Sequence, residues 1–246
     1  MRMCKKHNSL DRLSITHSHV IVKAKKYLLY KWRWSDYMEN NSKSRRKDPL
    51  FMRNKYQTDG KYGMPIIKKQ DIPLDDISLI ACSDTQSHAS IENCKSGVHF
   101  FVDDYRFENI YRHPEKSLNK YSQYAFLLTP DYSTYADMDT WRQIESVAHS
   151  RWVGAYWQEH GLKVIPTITW STPSSYEYCF DGIEKQSIVA VGMIGCKKNK
   201  FGFMNGYNEM LRRIEPKSII CFGKPFEEME GNIIAVDYLK SRKVVR

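Results

Sequence analysis

No stretch of this chain is long and apolar enough to cross a bilayer as a helix: its apolar runs end after four to seven residues, where a spanning helix needs roughly 20. The chain begins without an apolar secretion segment, and its six cysteines, Cys4, Cys82, Cys94, Cys179, Cys196 and Cys221, form no CxxC pair. These absences lead us to expect reduced thiols, a cytoplasmic location and no membrane partner. A phosphate-cradling glycine loop ending in Lys-Ser/Thr is also missing, and no dinucleotide fingerprint follows a strand. His7, His17 and His19 lack partners at zinc spacing, and Cys4 does not supply one. Nothing in the sequence draws His88 toward Cys82 or Cys94, so a Cys–His nucleophile is not expected.

What is present is unevenly distributed. The net charge is +10, and residues 1–60 hold 15 Lys/Arg against 5 Asp/Glu, whereas residues 61–246 hold 23 of each. The basic excess therefore belongs to the first quarter of the chain, and any electrostatic case for a nucleic-acid partner rests there. Residues 1–60 read as a basic N-terminal extension and linker, and residues 61–246 as an α/β domain. In the extension Lys25, Lys26, Lys31 and Arg33 alternate with Trp32 and Trp34, and Arg45-Arg46-Lys47 follow in a polar linker. Cations that pair with phosphates beside rings that stack on bases are the chemistry of DNA or RNA contact. The bland alternative is a solvated face needing no partner.

Beyond Tyr62 short apolar runs alternate with helical stretches. Candidate strands are Met64–Ile67, Ile77–Cys82, Val98–Val102, Ala125–Thr129, Leu162–Ile168, Ser187–Met193, Ser218–Phe222 and Ile233–Val236. Several are nearly all apolar, the pattern of parallel strands covered on both faces. Asp139–His160 is the clearest helix, with Trp141, Ile144, Val147, Ala148, Arg151, Trp152, Ala155 and Tyr156 at helical spacing. Gly206–Ile214 is a shorter one, and weaker helical stretches lie at Glu108–Tyr121 and Ser174–Phe180. Helix, short turn and buried strand in succession predict an α/β fold: a mostly parallel sheet with flanking helices, open or an incompletely closed, TIM-like barrel. A full barrel typically takes about 250 residues, more than positions 61–246 provide.

In parallel α/β folds the loops after the strands' carboxyl ends form the ligand crevice. Asp103, Asp104 and Arg106 follow the third candidate strand, Asp131 and Ser133 the fourth, Trp170 and Ser171 the fifth, and Asp237 the last. Asp103, Asp104 and Asp131 are the candidate catalytic residues. Asp103 and Asp131 are the candidate ligands for Mg²⁺ or Mn²⁺, since convergent carboxylates hold such ions or divide acid and base duties. Arg106, Ser133, Trp170 and Ser171 are the candidate substrate contacts. The structural alternative is that these aspartates cap helices or shape turns. His99, inside a strand, reads as a structural histidine, and His149 and His160 as packing or surface residues.

Several segments together resemble a bacterial and phage family, domain of unknown function 4417: Gly97–Glu108, Leu128–Ser133, Gly154–Trp157, Lys163–Trp170 and Phe180–Ile183. The resemblance spans roughly residues 62–238 and leaves out the basic extension. It transfers no catalytic residue. It implies an intracellular phage or mobile-element protein working near DNA transactions or host takeover. The leading expectation is metal-assisted binding of, or action on, nucleic acid or nucleotide; the alternatives are a glycosidase-like small-substrate hydrolase using a carboxylate pair and a noncatalytic protein-binding factor with an exposed apolar patch.

Overall fold

A computed structural model of the chain describes residues 49–53, 55–85, 91 and 93–237. The chain divides into two units, Met1–Lys55 and Tyr56–Arg246. In the first, the described residues include one helical turn, α1 (Pro49–Met52). Lys25, Lys26, Lys31, Trp32, Arg33, Trp34, Arg45, Arg46 and Lys47 lie outside the described residues.

The second unit opens with a small antiparallel hairpin, β1 (Thr58–Asp59) and β2 (Met64–Pro65). Its turn is tied to the body of the unit where the Gly182 amide donates to Asp59 at 3.1 Å. Seven parallel strands follow: β3 (Ser78–Ala81), β4 (Ser96–His99), β5 (Phe126–Leu128), β6 (Val164–Ile165), β7 (Ile188–Gly192), β8 (Ser218–Phe222) and β9 (Ile233–Val236). They form two ladders, β3-β4-β5-β6 and β7-β8-β9. The break between the ladders has a local cause. Pro166 follows β6 and carries no N–H, so the ladder cannot continue through it. Pairing with β7 is kept beyond it, with Ala190 N donating to Pro166 O at 2.9 Å and Ile168 N donating to Ala190 O at 2.8 Å.

The strands thus neighbour one another in the order in which the chain makes them. A doubly wound sheet reverses its order part-way; this one does not. Helices cover one face and the other turns inward, as in a barrel. In β7 and β8 the period of two sorts the side chains: Val189, Val191, Ile219 and Cys221 meet the helix-side core, while Ile188, Ala190, Ile220 and Phe222 meet the interior. The interior joins distant strands, since Phe222 on β8 stacks at 4.8 Å on Phe101, just past β4. A Cβ on Gly192 would strike that same Phe101 ring. Among the described residues no ladder joins β9 to β3, so the sheet remains open.

All eight expected strands are present: β8 and β9 keep the expected bounds, β4 starts two residues earlier and ends at His99, and the others are shorter, β6 being cut to Val164–Ile165. Helix α4 (Thr140–Glu159) matches the expected one closely. Its buried residues occupy more than one side, because Val153 and Trp157 are enclosed along with Arg151 and Trp152. Trp141, expected in the buried stripe, is instead 62% exposed. The stretch Glu108–Tyr121 is broken into α2 (Asn109–Arg112) and α3 (Pro114–Tyr121), with Pro114 in the first turn of the second. Helix α5 (Lys200–Ile214) starts six residues before the expected Gly206. Asn199 caps it by accepting from Gly202 N at 3.1 Å, and two early glycines mask its beginning in the sequence. Residues Pro173–Glu177 form a 3₁₀ turn rather than an α-helix.

Candidate active site at the carboxyl ends of the strands

A cavity of about 870 Å³ opens where β3 to β7 end. This is the end at which parallel α/β barrels place their chemistry. Asp84 reaches it from β3, Asp103, Asp104 and Arg106 from β4, Asp131 and Ser133 from β5, Trp170 from β6, and Cys196 from β7. Five strand ends supply one wall because the strands are parallel and adjacent.

Asp104 and Ser133 are paired. Asp104 accepts from Ser133 N at 3.0 Å and from Ser133 Oγ at 2.9 Å, and Ser146 on α4 donates to Ser133 O at 2.9 Å. The Ser133 hydroxyl, expected as a substrate contact, is therefore engaged in holding a carboxylate. Asp131 accepts a short hydrogen bond from Thr169 Oγ1. The residue is half-buried, but its carboxyl group is crowded by protein atoms. That desolvation pushes its pKa up to about 6, the Thr169 bond pulling down and the nearby Asp104 pushing up further.

Asp103 and Arg106 stand at the rim, 4.0 Å apart and with side chains 74% and 44% exposed. Trp170 forms a half-buried wall, its ring tilted 40° against that of Phe203 at 5.0 Å. Ser171 is not brought to the cavity. Its backbone N–H donates to Ser175 Oγ at 3.0 Å, and its hydroxyl is buried outside the lining. Asp237 does not line it either. Among the described residues no group of three or more His, Cys, Asp or Glu side chains is arranged to hold a metal ion. Asp103 and Asp131 both line the cavity. The Cys196 thiol, raised to about 11 chiefly by burial, is not a nucleophile at neutral pH.

Asp84 and His99 are among the lining residues that the sequence did not mark as site candidates. Asp84 accepts from the neighbouring Ser83 hydroxyl at 3.0 Å. His99, at the end of β4, forms part of the floor. The signal for it was alternation: Gly97, His99 and Phe101 share one strand face, opposite Val98 and Phe100, and that face turns out to be the interior.

The family model described as domain of unknown function 4417 matches residues 56–239. The chain belongs to this family. The DUF4417 match covers every strand of the parallel sheet and every residue of the cavity. Two phage proteins are similar to the chain. The Gene 1 protein of Mycobacterium phage L5 is 35% identical over 182 residues, covering 72% of this chain and 78% of its own. The Gene 1 protein of Mycobacterium phage D29 is 39% identical over 130 residues, 52% of this chain and 48% of its own length. No solved structure matches the chain. No helix among the described residues of this DUF4417 member is long and apolar enough to cross a membrane.

Proposed function

We propose that the DUF4417 domain is a hydrolase for a small, uncharged, hydroxyl-rich substrate, with Asp131 as general acid and Asp104 as the partner carboxylate. The observation that carries this reading is Asp131 itself: a crowded carboxyl group at the strands' carboxyl ends, raised to about 6. A group titrating there delivers a proton readily near neutral pH, and perturbed carboxyls in clefts mark functional sites. The lining supports the choice of substrate. Asp84, Asp103, Asp104 and Asp131 face one guanidinium, Arg106, so a free anion is repelled while hydroxyl groups find acceptors.

In a glycosidic cleavage, Asp131 protonates the leaving oxygen as the carbon–oxygen bond breaks. Asp104 takes a proton from the water that adds to the sugar carbon. The test is a screen of aryl glycosides and nucleosides with wild type and Asp131→Asn. Turnover by wild type that drops on the order of 100-fold or more in the variant is expected. Equal turnover in both proteins overturns the reading. Turnover appearing only after Mg²⁺ or Mn²⁺ is added overturns it too, in favour of metal-assisted phosphodiester chemistry.

A second reading applies to residues 1–60, where the basic excess lies: this extension binds the phosphates of DNA or RNA. Affinity for a short DNA should fall steeply with salt and vanish on deletion of residues 1–60. Binding that survives the deletion rules this out.

A further inference from the structure

His99 has a ring nitrogen, Nε2, without a hydrogen-bond partner among the described residues. The residue is 2% exposed, and its ring lies 4.3 Å from Phe222 and 5.9 Å from Phe101. Nδ1 accepts from the Phe101 N–H at 3.2 Å, so in the neutral ring the proton sits on Nε2. Burial between the two phenyl rings holds the pKa down to about 4, and the ring is neutral at physiological pH. Among the described residues no acceptor reaches Nε2. Thr134, on the wall of the same cavity, is buried as well, and its Oγ1 has no partner among the described residues.

Buried polar groups without partners are rare, and each such group calls for an explanation. Among the described residues Tyr132, Ser171 and Ser187 also have buried hydroxyls without a partner, but all three lie outside the cavity. The His99 donor cannot turn, because Nδ1 is already held. A fixed donor on a residue that lines the cavity selects an acceptor atom on a ligand. A cation presents no such acceptor, and the four carboxyl groups of the lining disfavour an anion.

We propose that His99 Nε2–H and Thr134 Oγ1 form a recognition site for a hydroxyl or carbonyl oxygen of an uncharged ligand. The inference deepens the hydrolase reading and rests on it for the identity of the cavity as the substrate site. His99 acts here as a binding and specificity residue, with Asp131 left to move the proton.

The experiment uses the full chain labelled with ¹⁵N at histidine, with methyl glucoside and uridine as uncharged probes and inorganic phosphate as the anionic control. His99 is assigned by comparison with His99→Asn, in which the Asn Oδ1 can still accept from Phe101 N. Before any probe is added, the ring should be the Nε2-protonated tautomer; an Nδ1-protonated ring overturns the proposal without any variant. At least one uncharged probe should then shift the Nε2–H signal. Its affinity should drop about tenfold in His99→Asn and in Thr134→Val, the loss of one buried hydrogen bond. If neither probe shifts the signal, if phosphate alone does, or if both variants bind as wild type does, the proposal fails. Asp131→Asn separates the two readings. Lost turnover in that variant beside unchanged probe binding by His99→Asn and Thr134→Val sinks only the recognition site. His99-dependent probe binding with turnover indifferent to Asp131 sinks only the acid–base assignment.

Discussion

Thr129 and Thr167 join the ends of β5 and β6 through two hydrogen bonds. Thr167 N donates to Thr129 Oγ1 at 2.9 Å, and Thr167 Oγ1 donates to Thr129 O at 2.9 Å. The regular β5–β6 ladder ends just before this point, and these side chains continue the pairing into the rim. Two residues further along each segment, Thr169 donates to Asp131. The Thr129–Thr167 pair is therefore the support on which the raised carboxyl of Asp131 is positioned. Ser150 on α4 adds a third bond, to Thr129 Oγ1 at 3.0 Å.

Thr129→Val keeps the shape but removes the acceptor for both the Thr167 amide and the Ser150 hydroxyl. Leaving a buried backbone N–H unsatisfied costs about 1–3 kcal/mol, so a loss of about 2 kcal/mol is expected in denaturant unfolding. Thr167→Val removes only its own hydroxyl and should lose about half as much. Equal losses would show that the Thr129 hydroxyl is not the hub of this pairing.

Thr169→Val should move Asp131 still further from its ordinary range. The Thr169 hydroxyl favours the charged carboxylate, and its removal leaves burial and Asp104 acting alone. Carboxyl titration followed by ¹³C NMR should place Asp131 above about 6 in this variant. A downward move excludes burial as the dominant cause.

His99 and Asp131 should act oppositely on stability in acid. His99 is held down to about 4 from 6.5, so its contribution is present above pH 6.5 and is lost as pH falls through 4. Asp131 is pushed up to about 6 from 3.8, so its contribution is present below pH 3.8 and is lost as pH rises through 6. Each is worth up to about 3 kcal/mol, and across this shared window they nearly cancel. Chemical denaturation between these limits should show Asp131→Asn losing stability on acidification faster than wild type, and His99→Asn losing it more slowly. Parallel curves for the three proteins contradict the assignment.

Arg151 is a buried cation whose charge is met by backbone oxygens. It donates to Asp181 O at 3.1 Å, Thr167 O at 3.1 Å and Cys179 O at 2.7 Å. Burial lowers its pKa to about 10, leaving it charged at neutral pH. Arg151→Met strands three carbonyls and should destabilise by about 3 kcal/mol or more. Arg151→Lys should recover only part of this, because an ammonium cannot reproduce the planar fork. A full rescue by lysine would show that charge alone matters here.

Gly206 lies where α5 passes Trp170, and a Cβ there would fall 2.2 Å from the indole Cδ1. Gly206→Ala should displace Trp170 from the cavity wall and destabilise by about 1–3 kcal/mol, despite the better helix propensity of alanine. Indole fluorescence reports the displacement, and an unchanged spectrum with unchanged stability argues against the contact.

The amino-acid sequence by itself determined the strands, helix α4 and the placement of carboxylates just beyond strand ends. It could do so because apolar periodicity reports burial locally, residue by residue. It also located Asp104 and Asp131, since a polar residue ending an apolar run marks where a strand leaves the sheet. The tertiary structure alone decided what those groups touch. Ser133 turned toward Asp104, Ser171 turned away from the cavity, Trp141 faced outward, and His99 faced an interior that exists only because the strands neighbour one another in chain order and curl. Hydrogen-bond partners such as Thr129 and Thr167 lie far apart in the chain, and only the register of β5 against β6 brings them together.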